Sequence, residues 1–99
     1  MTLYHRTANG FVQDILRSGF KDGLEYSELG WLKGVWLSDR PLDCNEGATG
    51  DVLLKVTIDL DEQAFAEWEF PEEGKTYREW CIPADVVNQS AKLILRRDP

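Results

Sequence analysis

The segment from Val52 to Leu60 alternates apolar and polar side chains more regularly than any other part of the chain. Leu54, Val56 and Ile58 would lie on one face of an extended strand, and Lys55 would lie on the other. This alternation predicts a strand that covers a core on one side only. Shorter strands are predicted over residues 2–6, 35–38, 77–82 and 92–96.

The segment after the first strand predicts an amphipathic helix, which Asn9 caps and Gly19 ends. Its apolar stripe is formed by Phe11, Val12, Ile15 and Leu16. Residues 21–33 are rich in glycine and charge and are predicted to form a loop, in which Leu29, Trp31 and Leu32 bury some surface. A short helix is predicted over residues 61–68, a turn over 71–74 and a helical turn over 83–88.

These elements define the expected fold class. About five strands and two or three short helices follow one another without regular alternation, which predicts an α+β fold rather than a doubly wound α/β fold. A chain of 99 residues is long enough for one domain with one core, so we expect a single domain over residues 1–99.

Charge and composition exclude several classes of function. The 18 acidic residues outnumber the 11 basic ones, giving a net charge of −7, which argues against a nucleic-acid partner. No apolar run approaches the roughly 20 residues of a membrane span, and no signal peptide is recognised. Cys44 and Cys81 lack the spacing of a zinc site and are expected to be thiols in a reducing compartment. We therefore expect a cytoplasmic protein.

Three short segments carry the functional hypothesis: Leu3 to Thr7, Lys33 to Asp39, and Tyr77 to Pro83. Each is predicted to bring one polar or aromatic side chain to a common surface. Those side chains are His5, Trp36 and Glu79, and His5 is the only histidine of the chain. Strand alternation would place Trp36 and Ser38 on one face of the second segment, and Glu79 and Cys81 on one face of the third.

A histidine, an aromatic ring and a glutamate suit the cleavage of the bond between nicotinamide and ribose in NAD. The leaving group is already cationic, and the transition state resembles an oxocarbenium ion, as in glycoside hydrolysis. A carboxylate stabilises the developing positive charge, a donor fixes the ribose hydroxyls, and an aromatic wall stacks on the nicotinamide. Taken one at a time, the same residues are also compatible with a core tryptophan and a solvated ion pair.

The three segments resemble the motifs of ADP-ribosyltransferases of the histidine–aromatic–glutamate type, the branch of diphtheria toxin and the poly-ADP-ribose polymerases. That family has His-Gly-Ser/Thr, Gly-(Ile/Val)-Tyr-Phe and a late catalytic glutamate, in this order. This chain has Tyr4-His5-Arg6-Thr7, Gly34-Val35-Trp36-Leu37 and Arg78-Glu79-Trp80. The resemblance implies split antiparallel sheets with a few short helices, and NAD as the substrate. It also implies a protein acceptor and a phage or bacterial effector.

The resemblance also assigns roles. His5 would hold the nicotinamide-side ribose, and the Arg6 backbone would bond the carboxamide with help from the Thr7 hydroxyl. Trp36 would lie beside the nicotinamide, with Ser38 on the same face. Glu79 would bond the ribose 2′-hydroxyl and stabilise the oxocarbenium ion.

Two substitutions and the short length depart from the family pattern. Arg6 stands where the family has glycine, and Trp36 stands where it has tyrosine. An alternative is a catalytically inactive module of the same fold, which binds a basic partner protein through its acidic surface. A third reading, an RNA 2′-phosphotransferase, would need several arginines around a phosphate, which the charge of −7 disfavours.

Overall fold

The computed structural model describes residues 1–27, 30–42, 50–71 and 74–97. Within these ranges the chain forms an α+β fold of six strands, two α-helices and one 3₁₀ helix, which confirms the expected fold class. The strands are β1 (Thr2–Thr7), β2 (Gly23–Ser27), β3 (Gly30–Ser38), β4 (Val52–Ile58), β5 (Glu79–Ile82) and β6 (Ala91–Arg97). The helices are α1 (Asn9–Ser18), the 3₁₀ helix (Glu62–Trp68) and α2 (Ala84–Ser90).

The strands form one curled antiparallel sheet in the order β2-β3-β1-β4-β6, with β5 also paired to β3. β1 and β4 pair along six residues, from Thr2 opposite Thr57 to Thr7 opposite Val52. β1 and β3, in contrast, share one registered pair among the described residues, Tyr4 opposite Ser38. The sheet therefore consists of two halves, β1-β4-β6 and β2-β3-β5, joined at a narrow junction that we call the seam.

One face of both halves covers the core. The core face predicted for β4 is confirmed, since Leu54, Val56 and Ile58 are all buried, but the other face is partly covered as well, because Leu53 is buried. They pack with alternate residues of β3 and β5 and with the apolar sides of the helices. The contributing residues are Leu3, Val12, Ile15, Val35, Leu37, Phe65, Trp80, Ile82 and Val87. None of the helices in the described ranges is both long and apolar enough to cross a membrane.

The loop predicted over residues 21–33 is wrong, because the chain there forms the β2–β3 hairpin. Gly23 lies opposite Gly34, and Tyr26 lies opposite Trp31. Backbone hydrogen bonds hold such a ladder, and they need no regular side-chain pattern. Of the residues expected to bury surface there, Leu32 is half-buried, whereas Trp31 is 65% exposed.

The ends of α1 match the prediction at one end only. Gly19 terminates the helix with φ of +87° and donates its N–H to the Ile15 carbonyl, as predicted. Asn9 does not cap the start, because Ala8 holds that position and the N–H of Asn9 donates to the Asp51 carboxylate at 2.9 Å.

Three of the sequence-based expectations lie outside the described residues. They concern burial of Leu29, the state of Cys44, and the Glu72-Glu73 part of the predicted turn.

Candidate functional site

Three neighbouring strands bring part of the expected set together. Tyr4 of β1 pairs with Ser38 of β3, and Ser38 pairs with Glu79 of β5, so these three residues form a row on one face. Because adjacent strands of a sheet are about 5 Å apart, the backbones of Tyr4 and Glu79, which lie two strands apart, are separated by about 10 Å. Trp36 lies two residues along β3, opposite Cys81, and shares that face. Trp36, Ser38 and Glu79 are therefore neighbours, as the alternation predicts.

Glu79 begins β5 and is largely buried, with 15% of its side chain exposed. Its Oε2 accepts a hydrogen bond from Lys75 Nζ at 2.9 Å. Its carbonyl accepts one from the N–H of Phe70, also at 2.9 Å, which ties the segment after the 3₁₀ helix to β5. The carboxylate is thus held at one oxygen by a lysine.

The Trp36 side chain is half-buried, and the Phe70 ring covers part of it. The two ring centroids are 5.4 Å apart, with the rings inclined at 68° in an edge-to-face contact. The indole Nε1 is buried and has no acceptor among the described residues.

His5 lies at the seam, and its side chain starts from the opposite face. It pairs with the buried Leu54, whereas its neighbour Tyr4 shares the face of Ser38. The ring nevertheless reaches β3, because Nδ1 lies 2.7 Å from the Trp36 carbonyl. The prediction of a common surface is therefore wrong for His5, which reaches the group only through the backbone carbonyl of Trp36.

The environment of His5 fixes its chemical state. A carbonyl only accepts hydrogen bonds, so Nδ1 carries the proton, and Nε2 has no partner among the described residues. The Phe20 ring packs edge-on at 5.2 Å between centroids. Burial lowers the pKa of His5 from its ordinary value of 6.5, and the hydrogen bond with Trp36 opposes this by less. The result is a neutral imidazole with an acceptor at Nε2.

The remaining expected residues are engaged with the protein. The Arg6 side chain is bound to the segment after β3, since its Nε donates to the Leu42 carbonyl at 2.6 Å. Thr7 is buried at the end of β1. The Ser38 hydroxyl lies 2.7 Å from the Arg40 carbonyl, to which it donates, so its proton is already committed.

Two residues beside the site were missed by sequence reasoning. Phe70 covers Trp36, and Lys75 binds Glu79. The spacing of four between Lys75 and Glu79 was visible in the sequence, but it has a fixed geometry only in a helix, and this segment is not helical. Nothing in the sequence pointed to Phe70.

Comparisons with known proteins leave the chain without a match. No protein-family model matches it, and neither does any curated protein or solved structure. No three His, Cys, Asp or Glu side chains in the described parts of the chain are grouped as a metal site requires. An open depression lined by Met1 and residues 58–62 contains none of the residues of the candidate site.

Proposed function

We propose that this protein binds NAD at the seam, cleaves its nicotinamide–ribose bond and transfers ADP-ribose to a protein acceptor. The observation that carries the proposal is the grouping of His5, Trp36 and Glu79 on three neighbouring strands. Trp36 and Glu79 share one face of the β3–β5 pair. The His5 ring is bound to the Trp36 backbone at 2.7 Å.

The narrow junction of the sheet supports the proposed fold family. The resemblance implies split antiparallel sheets, and β1 and β3 are joined at one registered pair in the described chain. Beyond this pair, the His5 side chain donates a hydrogen bond to the Trp36 carbonyl. In a continuous ladder, a backbone N–H of the neighbouring strand would donate to that carbonyl. Such a junction is the kind of place where a ligand can contact two half-sheets at once.

The reaction divides among three side chains. In this proposal, Nε2 of the neutral His5 accepts a hydrogen bond from a ribose hydroxyl, and the Trp36 ring lies beside the nicotinamide. The bond between C1′ and the pyridinium nitrogen breaks, and its electron pair leaves with neutral nicotinamide. Glu79 stabilises the cationic ribose until a nucleophile of the acceptor attacks C1′ and loses its proton.

The test is a proton NMR time course of purified protein with NAD, which follows free nicotinamide. We expect release by the wild-type protein and a loss of about 100-fold or more in Glu79→Gln, which keeps the shape and removes the charge. Glu67→Gln is the matched control, because Glu67 is an exposed glutamate of the 3₁₀ helix. Equal rates for wild type and Glu79→Gln would refute the mechanism.

A second candidate is a binding module of the same fold without catalysis. The contact of Phe70 with the Trp36 ring favours it, because that ring is then partly covered where nicotinamide would stack. The net charge of −7 suits a basic partner protein. Nicotinamide release that depends on Glu79 would exclude this candidate.

A further inference from the structure

The candidate glutamate has a lysine partner that is unusually sheltered for its residue type. Lysine side chains are mostly exposed in folded proteins, yet the Lys75 side chain is 19% exposed. Its Nζ lies 4.9 Å from the centre of the Tyr77 ring and 5.6 Å from that of Phe70. These two rings and Glu79 therefore surround the ammonium group at a defined place.

We propose that Lys75 is a positioning residue for Glu79, a role that rests on the proposed function. Lys75 binds Oε2 of the carboxylate, and Oε1 accepts no hydrogen bond from the described residues. One oxygen is thus held by the protein, and the other is left for the ribose hydroxyl. Lys75 itself does not touch the reacting atoms in this arrangement.

The pair differs from an ordinary surface ion pair. Both side chains are less than 20% exposed, so water screens their attraction less than it would at the surface. Removing one partner leaves the other charge sheltered without its counter-ion. The carboxylate would then turn toward water or take another partner, and its distance from the ribose would change.

A misplaced catalytic group slows the chemical step more than it weakens binding. A displacement of about 1 Å can cost about 100-fold in rate. Because Lys75 contacts the carboxylate and, in this proposal, not the substrate, its loss is expected to lower kcat for nicotinamide release and to change KM little. The loss of a residue that only supported the fold would lower thermal stability, and it would not lower kcat while leaving KM unchanged.

The test compares kcat and KM for nicotinamide release in wild type, Lys75→Met and Lys75→Arg. Methionine keeps an apolar stem against Phe70 and Tyr77, and we expect kcat to fall about 10- to 100-fold with KM within about threefold. Arginine can still donate to Oε2 and is expected to restore kcat to within about threefold of wild type. Lys21→Met, at an exposed lysine after α1, controls for the change of net charge.

Each outcome decides one of the two proposals. A kcat for Lys75→Met equal to that of wild type overturns the role of Lys75 and leaves the enzyme. Absence of release by the wild type overturns the proposed function, and the role of Lys75 with it. If Lys75→Met does not fold, Lys75→Gln replaces it, since glutamine retains an N–H donor without the charge. A kcat for Lys75→Gln equal to that of Lys75→Arg would show that the hydrogen bond suffices.

Discussion

His5 is the residue whose surroundings have the clearest measurable effect. The folded protein favours its neutral form, because burial lowers its pKa below the ordinary value of 6.5. At pH values between the lowered pKa of His5 in the folded protein and its ordinary pKa of 6.5, the unfolded chain binds a proton more readily than the folded protein does. Stability therefore rises with pH through this window, and the contribution of His5 is lost as pH falls below about 6.5.

Replacing His5 with asparagine separates the titration from the hydrogen bond. The asparagine Nδ2 can donate to the Trp36 carbonyl in place of Nδ1, and it does not titrate. We expect His5→Asn to reduce the slope of unfolding free energy against pH below about pH 6.5, measured by urea titration. An unchanged slope would mean that other groups cause the pH dependence.

The sequence was informative about individual residues only where strand alternation decides their direction. It placed Trp36 and Ser38 on one face of β3, and it placed Glu79 on the face of β5 that lies away from the buried Trp80. The contact between His5 and the Trp36 carbonyl could not be predicted, because it depends on how two distant strands separate.

At the scale of elements, β3 depends on a glycine where it changes partner. Gly34 pairs with Gly23 of β2, and the next residue, Val35, pairs with Ile82 of β5. A Cβ at Gly34 would lie 2.9 Å from the Ile82 carbonyl oxygen and 3.0 Å from Cys81 Sγ. The backbone of β5 would have to move to make room.

Gly34→Ala is expected to lower the free energy of unfolding by about 1–3 kcal/mol, as overpacking does. Gly10→Ala is the matched control, because nothing lies within 4 Å of the added carbon and alanine favours the helix. Urea unfolding monitored by circular dichroism would measure both. A Gly34→Ala variant as stable as Gly10→Ala would show that β3 and β5 do not approach as closely as described.

Elements with strong periodicity were predictable, and elements held by backbone pairing were not. α1 and β4 each carry a regular apolar pattern over several residues, and both occur close to the predicted limits. The β2–β3 hairpin has glycine at three of its paired positions and exposes Trp31, so its sequence resembles a loop. Its ladder depends on the backbone, which a side-chain pattern does not report.

At the scale of the whole molecule, one core joins the two half-sheets. Phe65 of the 3₁₀ helix is fully buried in it, together with Leu3 of β1 and Trp80 of β5. Because both halves share this core, we expect them to unfold in a single transition despite the narrow seam. The α+β class followed from the order of elements alone, whereas the curl of the sheet depends on tertiary contacts.

Phe65→Ala tests this shared core. The substitution is expected to cost about 3–5 kcal/mol, a large part of the roughly 5–15 kcal/mol that holds a domain of this size. Tryptophan fluorescence and far-ultraviolet circular dichroism should still report coincident urea transitions. Glu67→Ala, at an exposed position of the same helix, should change stability by less than about 0.5 kcal/mol. Separate transitions by the two probes would mean that the halves unfold independently.

The central place of β1 has a consequence for synthesis on the ribosome. β1 is translated before both of its neighbours, since it pairs with Ser38 and with residues 52–57. A nascent chain that stops short of β4 carries β1 without its longest ladder, and the apolar side chains of Leu3 and Val12 then lack most of their core. Productive folding of this sheet must therefore wait until β4 has left the ribosome, so its longest ladder forms late in the synthesis of these residues.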